Sequence, residues 1–167
     1  MSEKGEALVV NTGPLIALAA CGGWPVLRGL FKSVVVPETV RQEFLHGSSL
    51  PAKGIAEAEL PDWMEVLTAG SSPALLLATY LDVGEAEVIT LALDRKIGRV
   101  AIDEKRGRRV ARLFGLSVIG SVGILLQAKR EGLIDTIRPS LESMKQAGIW
   151  MSKGLWEKAI DAAGEER

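Results

Sequence analysis

Short apolar, β-branched runs alternate along this chain with longer segments whose apolar residues recur every three or four positions. The runs are Ala7 to Val10, Val34 to Val36, Trp63 to Leu67, Arg99 to Ile102 and Ser117 to Ile119. Runs with little polar alternation suit strands covered on both faces, and the helical segments between them supply the cover. The pattern predicts a three-layer α/β/α sandwich around a central parallel sheet of about five strands.

Helix punctuation refines this outline. Pro37 suits the first position of a helix over Glu38 to Phe44, while Gly84 opens Glu85 to Leu93 and Gly98 closes it. Ser121 reads as the cap of Val122 to Glu131 with Gly132 beyond the end, and Pro139 starts a helix that Gly148 closes. Ser152 caps a last helix ending near Ile160. Gly47 to Pro61 and Ala69 to Pro73 are weakly patterned and predict mobile loops. Gly120-Ser121-Val122-Gly123 lacks the glycine and lysine spacing of a phosphate loop and reads as a helix start.

Composition adds bounds. With 167 residues, 47% hydrophobic and 25% charged, the chain predicts one domain over residues 1–167 with a full core. A single cysteine, Cys21, excludes an intramolecular disulfide. The opening Met-Ser-Glu-Lys-Gly-Glu lacks a signal peptide's apolar run, and no stretch reaches the ~18 to 20 apolar residues of a membrane span. The expectation is a soluble, cytoplasmic protein with no membrane partner. Net charge is only −1, but residues 1–100 carry 8 basic and 12 acidic side chains against 12 and 9 in residues 101–167. Attraction to a polyanion must therefore be local.

In open α/β sheets, ligands bind beyond the carboxyl ends of the strands. Asn11 follows the first run and Asp103 and Glu104 follow the fourth, so they meet if those strands are neighbours. Glu43 stands three residues after Val40 in a helix whose apolar positions are Val36, Val40 and Phe44, which predicts an acid bordering the core. Glu85 leads the stripe Val88, Ile89, Ala92 and points inward, whereas Glu87 aligns with Thr90 and Asp94 and points to solvent. Gathered carboxylates repel one another unless a cation neutralises them. Oxygen donors in a partly filled cup suit Mg²⁺ or Mn²⁺, and a lone His46 with a lone Cys21 does not suit zinc. The candidate metal ligands are Glu43, Glu85, Asp103 and Glu104, with Asn11 where a fifth acid would be expected.

A basic segment follows at once: Lys105, Arg106, Arg108, Arg109 and Arg112. In a helix here, Gly107, Val110, Ala111 and Phe114 form the buried stripe, and Lys105, Arg108, Arg109 and Arg112 share the opposite face. Basic residues in a first turn oppose the helix dipole, so phosphate tracking is a reason for them to be there. Each feature also has an ordinary reading. Asp103 and Glu104 suit a helix's first turn, Asn11 to Pro14 suits a turn, and a charge run suits a solvated face. The functional case rests on the set. Trp150 and Trp156, with Ile149, Met151 and Leu155, predict core packing. His46 reads as a helix end, and Cys21 as a small buried or turn residue.

Val9-Val10-Asn11-Thr12-Gly13-Pro14-Leu15-Ile16, Val36-Pro37-Glu38 through Glu43, Gly84-Glu85-Ala86-Glu87 and Ile102-Asp103-Glu104 with Gly107-Arg108-Arg109 resemble, in this order, the motifs of PIN domains. More closely, the chain is similar to a prokaryotic PIN-like branch of formerly unknown function that resembles VapC-type toxins, from about Ala7 to Ile160. The resemblance implies an RNA endonuclease using Mg²⁺ or Mn²⁺, the toxin of a toxin-antitoxin pair. It implies RNA, an antitoxin protein and a second copy of the chain as partners. The family's acids map to Asn11, Glu43, Glu85 and either Asp103 or Glu104, with Thr12 in support. Thr12, Lys105, Arg108, Arg109 and Arg112 are the candidate RNA contacts. Asn11 departs from the usual aspartate: its amide offers an oxygen but no charge and no base. The alternative function is a weakened PIN-like domain that binds RNA or a protein partner without cutting. A third is a protein-interaction module whose acidic cup receives an arginine.

Overall fold

The computed structural model describes residues 5–46, 59–70 and 77–166. Five short strands form one all-parallel sheet: β1 (Leu8–Val10), β2 (Val34–Pro37), β3 (Glu65–Leu67), β4 (Arg99–Ala101) and β5 (Ser117–Ile119), in the order β3-β2-β1-β4-β5. β1 and β2 are buried along their whole length, as strands covered on both faces must be. The edge strands β3 and β5 expose Glu65 and Ser117. Ala7, Trp63, Met64 and Ile102 lie outside the ladders assigned to them by pattern, although Ile102 N–H still donates to Ile119 O at 3.0 Å.

Eight helices flank the sheet among the described residues: α1 (Thr12–Ala20), α2 (Trp24–Leu30), α3 (Glu38–His46), α4 (Val83–Asp94), α5 (Lys105–Leu113), α6 (Ser121–Arg130), α7 (Arg138–Gln146) and α8 (Lys153–Ala162). The first two were not legible by period. α1 buries Pro14, Leu15, Ala17 and Leu18 and is apolar around most of its circumference, which leaves no stripe to recognise.

The connections decide where a ligand can sit. From β1 the chain moves outward to β2 and β3, then returns past β1 to β4 and β5. Right-handed crossovers in opposite directions place their helices on opposite faces, so α4 and α5 cover one face while α1 and α2, with α6, cover the other. Between β1 and β4 the direction reverses. A crevice opens there at the carboxyl ends of the strands.

Several helix ends differ from their sequence assignment. Pro37 is the last residue of β2, paired with Leu67, and α3 begins at Glu38. α4 begins at Val83, not at Glu85, because Asp82 caps it by accepting Glu85 N–H at 2.7 Å. The helix stops at Asp94 rather than being closed by Gly98, and Lys96 takes the left-handed conformation at φ 54°. Ser121 is the first residue of α6 and Gly120 its cap, whereas Ser152 caps α8 as expected by accepting from Leu155 N–H. The expected loops Gly47 to Pro61 and Ala69 to Pro73 lie largely outside the described residues.

The α7 terminus is capped from a distance. Ile137 cannot cap with its own side chain, and Glu165 accepts Ile137 N–H at 2.7 Å, Arg138 N–H at 3.3 Å and Lys129 Nζ at 3.0 Å. Desolvation pushes the Glu165 carboxyl up, but these donors outweigh it and hold the group below its usual range. The aromatic expectation holds in part. Trp156 packs against the core with Lys145 over its ring, but Trp150 is 86% exposed and is not core. His46 sits at the exposed end of α3, its Nδ1 2.7 Å from Gln42 O, and Cys21 caps α1. Burial pushes the Cys21 thiol up to about 11, so it is inert near neutrality. No single helix among the described residues is long and apolar enough to cross a membrane.

Candidate active site at the carboxyl edge of the sheet

β1 pairs directly with both β2 and β4, which makes the residues beyond these strands neighbours. Asn11 leaves β1 with extended backbone at ψ 169° and turns at once into α1, so the Asn11-Pro14 segment is a helix start rather than a turn. Its side chain is 6% exposed. A methyl built on Gly84 would stand 3.4 Å from Asn11 Oδ1, 2.9 Å from Glu43 Oε1 and 3.2 Å from Glu43 Oε2. Three oxygens from α3 and the β1 end thus converge on the first turn of α4, and only glycine there leaves them room. Thr12 Oγ1 donates to Glu43 Oε2 at 2.5 Å.

Glu43 is not on the core border that its spacing predicted. As a residue it is exposed, while Val40 and Phe44 are buried, because α3 lies at the rim and its acid leans over the crevice. Glu85 is inward as predicted, at 5% exposure, and its Oε2 has no hydrogen-bond partner among the described residues. Desolvation, followed by the nearby Asp82 and Glu104 carboxylates, pushes Glu85 up to about 7. Its carboxylate lies against α5: a methyl on Gly107 would come within 2.1 Å of Glu85 Oε2. Glu87 does not simply face solvent. It is half-buried, its Oε2 is buried without a partner among the described residues, and Thr90 on the same stripe is fully buried, because α4 is covered on more than one side.

Asp103 and Glu104 take different parts. Asp103 Oδ1 accepts Ser121 N–H at 2.8 Å and Ser121 Oγ–H at 3.2 Å, and Oδ2 faces Gly13. The residue keeps an exposed edge, but its carboxyl is enclosed by α1, α5 and α6. Desolvation raises its pKa, and the Ser121 donors and the Arg108 charge lower it without cancelling the rise. Glu104 is the exposed N-cap of α5 and makes no capping bond with its side chain.

The basic segment divides as well. Lys105, Arg109 and Arg112 are exposed on α5, as the ridge predicted. Arg108 is half-buried and folds back, donating from Nη1 to Ile102 O at 3.0 Å beside Asp103. It belongs to the cup and not to the ridge. Phe114 is 47% exposed rather than part of the buried stripe: it is the C-cap beyond the last turn of α5, just before the chain turns into β5.

The site is therefore three linked clusters: Asn11 with Thr12 and Glu43, Glu85 with Asp82 and Glu104, and Asp103 with Ser121 and Arg108. Among the described residues no three His, Cys, Asp or Glu side chains converge on one metal position. The donors nevertheless fit a hard divalent cation. They are oxygens, one is a buried orphan on Glu85, and Mg²⁺ commonly takes only one or two carboxylates with water and phosphate completing its shell. Sequence reasoning missed Asp82, Ser121 and Gly107. Asp82 alone was legible, because Asp82-Val83-Gly84-Glu85 has the spacing of a capping box.

An all-parallel sheet with acids gathered at its topological switch point defines an α/β domain built to work on a ligand at that edge. A PIN domain family model matches residues 7–165, and the chain belongs to the PIN domain family. That family has a nuclease-type fold and generally depends on divalent metal. No curated protein matches the chain.

Proposed function

We propose that this protein is a Mg²⁺- or Mn²⁺-dependent RNA endonuclease. The observation that carries the reading is the convergence of Asn11 Oδ1 and both Glu43 oxygens above Gly84, with the orphan Glu85 oxygen on the next residue. Glu43, Glu85 and Asp103 would hold the cation directly or through water, with Glu104 at the rim and Asn11 offering its carbonyl oxygen. Such an ion supplies a lowered pKa to bound water and stabilises charge developing on phosphate. The chain's own residues do the rest. Thr12 fixes the Glu43 carboxylate, Ser121 fixes Asp103 with the Arg108 charge beside it, and Asp82 fixes the helix turn that carries Glu85. Burial and the neighbouring Asp82 and Glu104 carboxylates push Glu85 up, a cost that a bound cation would offset. Lys105, Arg109 and Arg112 face solvent on the helix that follows the acids and suit phosphate contacts. The role of a toxin, with an antitoxin partner and a paired second copy, rests on the resemblance.

A second reading, RNA binding without cleavage, is favoured by the neutral Asn11 and by Arg108, which already offsets Asp103. One experiment separates the two. Calorimetric Mn²⁺ titration of the wild type, Glu43→Gln and Asn11→Asp is run beside cleavage of a single-stranded RNA. The nuclease reading expects Mn²⁺ binding lost in Glu43→Gln, Mn²⁺-dependent cleavage by the wild type, and faster cleavage by Asn11→Asp. Metal binding with no cleavage by either wild type or Asn11→Asp would establish binding only.

A further inference from the structure

Beside the acidic edge runs a groove of about 660 Å³ between the Leu77–Tyr80 segment and one stripe of α5. Arg106, Arg109, Val110 and Leu113 recur at helical spacing along that stripe, a length of about 10 Å. Tyr80 and Phe114 add aromatic side chains to the lining. The apolar groups here are unusually open: Tyr80 is 71% exposed, Leu113 77% and Phe114 47%. Burial in the core does not account for them.

The groove is continuous with the site. Tyr80 is two residues before Asp82, whose carboxylate caps the helix carrying Glu85. Arg106 reaches across from α5 to Tyr80 O at 3.4 Å, and the next residue, Gly107, is the one against which Glu85 lies. A strand leaving the acids along α5 meets this groove within one helical turn. Its described lining holds two guanidinium groups and no carboxylate, so its field favours an anionic occupant. Open aromatic faces beside arginines suit a stacked base whose flanking phosphate pairs with a guanidinium. Val110 and Leu113 offer apolar surface in the same lining.

We propose that this groove seats a nucleotide of single-stranded RNA outside the cleavage point. A base stacks on Tyr80, and its neighbouring phosphate is held by Arg109. The inference rests on the nuclease reading and adds the chemistry by which substrate is gripped: a single strand with an unpaired base rather than a duplex.

The test is fluorescence anisotropy of a labelled single-stranded uridine octamer on the full chain in EDTA, where no cleavage occurs. Tyr80→Ala should weaken binding about five- to tenfold, the loss of one stacking contact, and Tyr80→Phe should retain affinity. Arg109→Ala should weaken binding and reduce the slope of log affinity against log salt by about one. Tyr80 is too exposed for its removal to unfold the domain, which a melting curve verifies. Wild-type binding that neither Tyr80→Ala nor Arg109→Ala alters would overturn the groove and leave the nuclease reading standing. A wild type that neither binds nor cleaves RNA would overturn both. Unchanged RNA affinity with lost binding of an acidic, amphipathic helical peptide in Tyr80→Ala would make the groove a protein-docking surface, and the proposal would fall.

Discussion

Thr12 Oγ1 and Glu43 Oε2 lie 2.5 Å apart, joining the first turn of α1 to the last turn of α3 across 31 residues of sequence. Glu43 is exposed, so this bond selects one rotamer from many for the carboxylate that faces Asn11. An exposed hydrogen bond contributes little to stability, roughly 0.5–1.5 kcal/mol, but it sets where the ligand oxygen stands. Thr12→Val should lower Mn²⁺ affinity about five- to tenfold by calorimetry, a loss of the same order as the bond. Its melting temperature should shift by no more than about 2–4 °C, and Thr12→Ser should behave as wild type. Equal Mn²⁺ affinity in Thr12→Val would show that Glu43 needs no such support.

Glu85 makes stability depend on pH. Its folded pKa of about 7 lies above the ordinary 4.5, so between these values the native state binds more protons than the unfolded chain. Stability should therefore fall as pH rises from about 4.5 through 7, by on the order of 1–3 kcal/mol. Glu85→Gln should flatten that part of the profile and melt higher than wild type at pH 8. Mn²⁺ should raise the wild-type melting temperature more at pH 8 than at pH 5.5, because the cation needs the ionised carboxylate. Thermal melts across this range decide the matter, and a Mn²⁺ effect independent of pH would remove Glu85 from the metal site.

Gly107 is required by Glu85 rather than by the α5 backbone. A methyl here would meet Glu85 Oε2 at 2.1 Å and Ile102 Cγ2 at 3.0 Å. In a free helix, glycine to alanine would stabilise by about 1 kcal/mol. In this helix that gain opposes the displacement of the carboxylate and of Ile102. Gly107→Ala should thus leave the melting temperature near wild type while cutting Mn²⁺ binding at least about tenfold, as a misplaced ligand does. A large drop in melting temperature with unchanged Mn²⁺ affinity would show that the contact is only packing.

Arg108 and Arg112 share a sequence motif but not an environment. Arg108 donates to Ile102 O beside Asp103, whereas Arg112 is exposed. Arg108→Leu should destabilise by about 1.5–3 kcal/mol, the range for a hydrogen bond to a charged group. Arg112→Leu should leave the melting temperature unchanged and lower RNA affinity in a salt-dependent way. Both are read by urea melts and RNA anisotropy at two salt concentrations. An Arg108→Leu protein as stable as wild type would return Arg108 to the outer ridge.

Much of the architecture is local in origin and could be read from the chain. Unbroken apolar runs such as Val34 to Val36 specify strands buried on both faces, and the Val88, Ile89, Ala92 stripe specifies which side of α4 goes inward and hence that Glu85 does too. What could not be read depended on contacts between distant segments. α1 is too uniformly apolar to show a period, and the Ser121 support of Asp103 spans 18 residues. The inward turn of Arg108 depends on the carbonyl at the end of β4, and the exposure of Glu43 depends on α3 lying at the rim. Periodicity tells which face of a helix is apolar, because that is fixed by 3.6 residues per turn. It does not tell what stands opposite a polar side chain. The layers, the direction of Glu85 and the candidate acids follow from local pattern. The pairing of β1 with β4, the grouping of the acids into three linked clusters and the choice of arginine that faces the crevice arise from contacts between segments far apart in the chain.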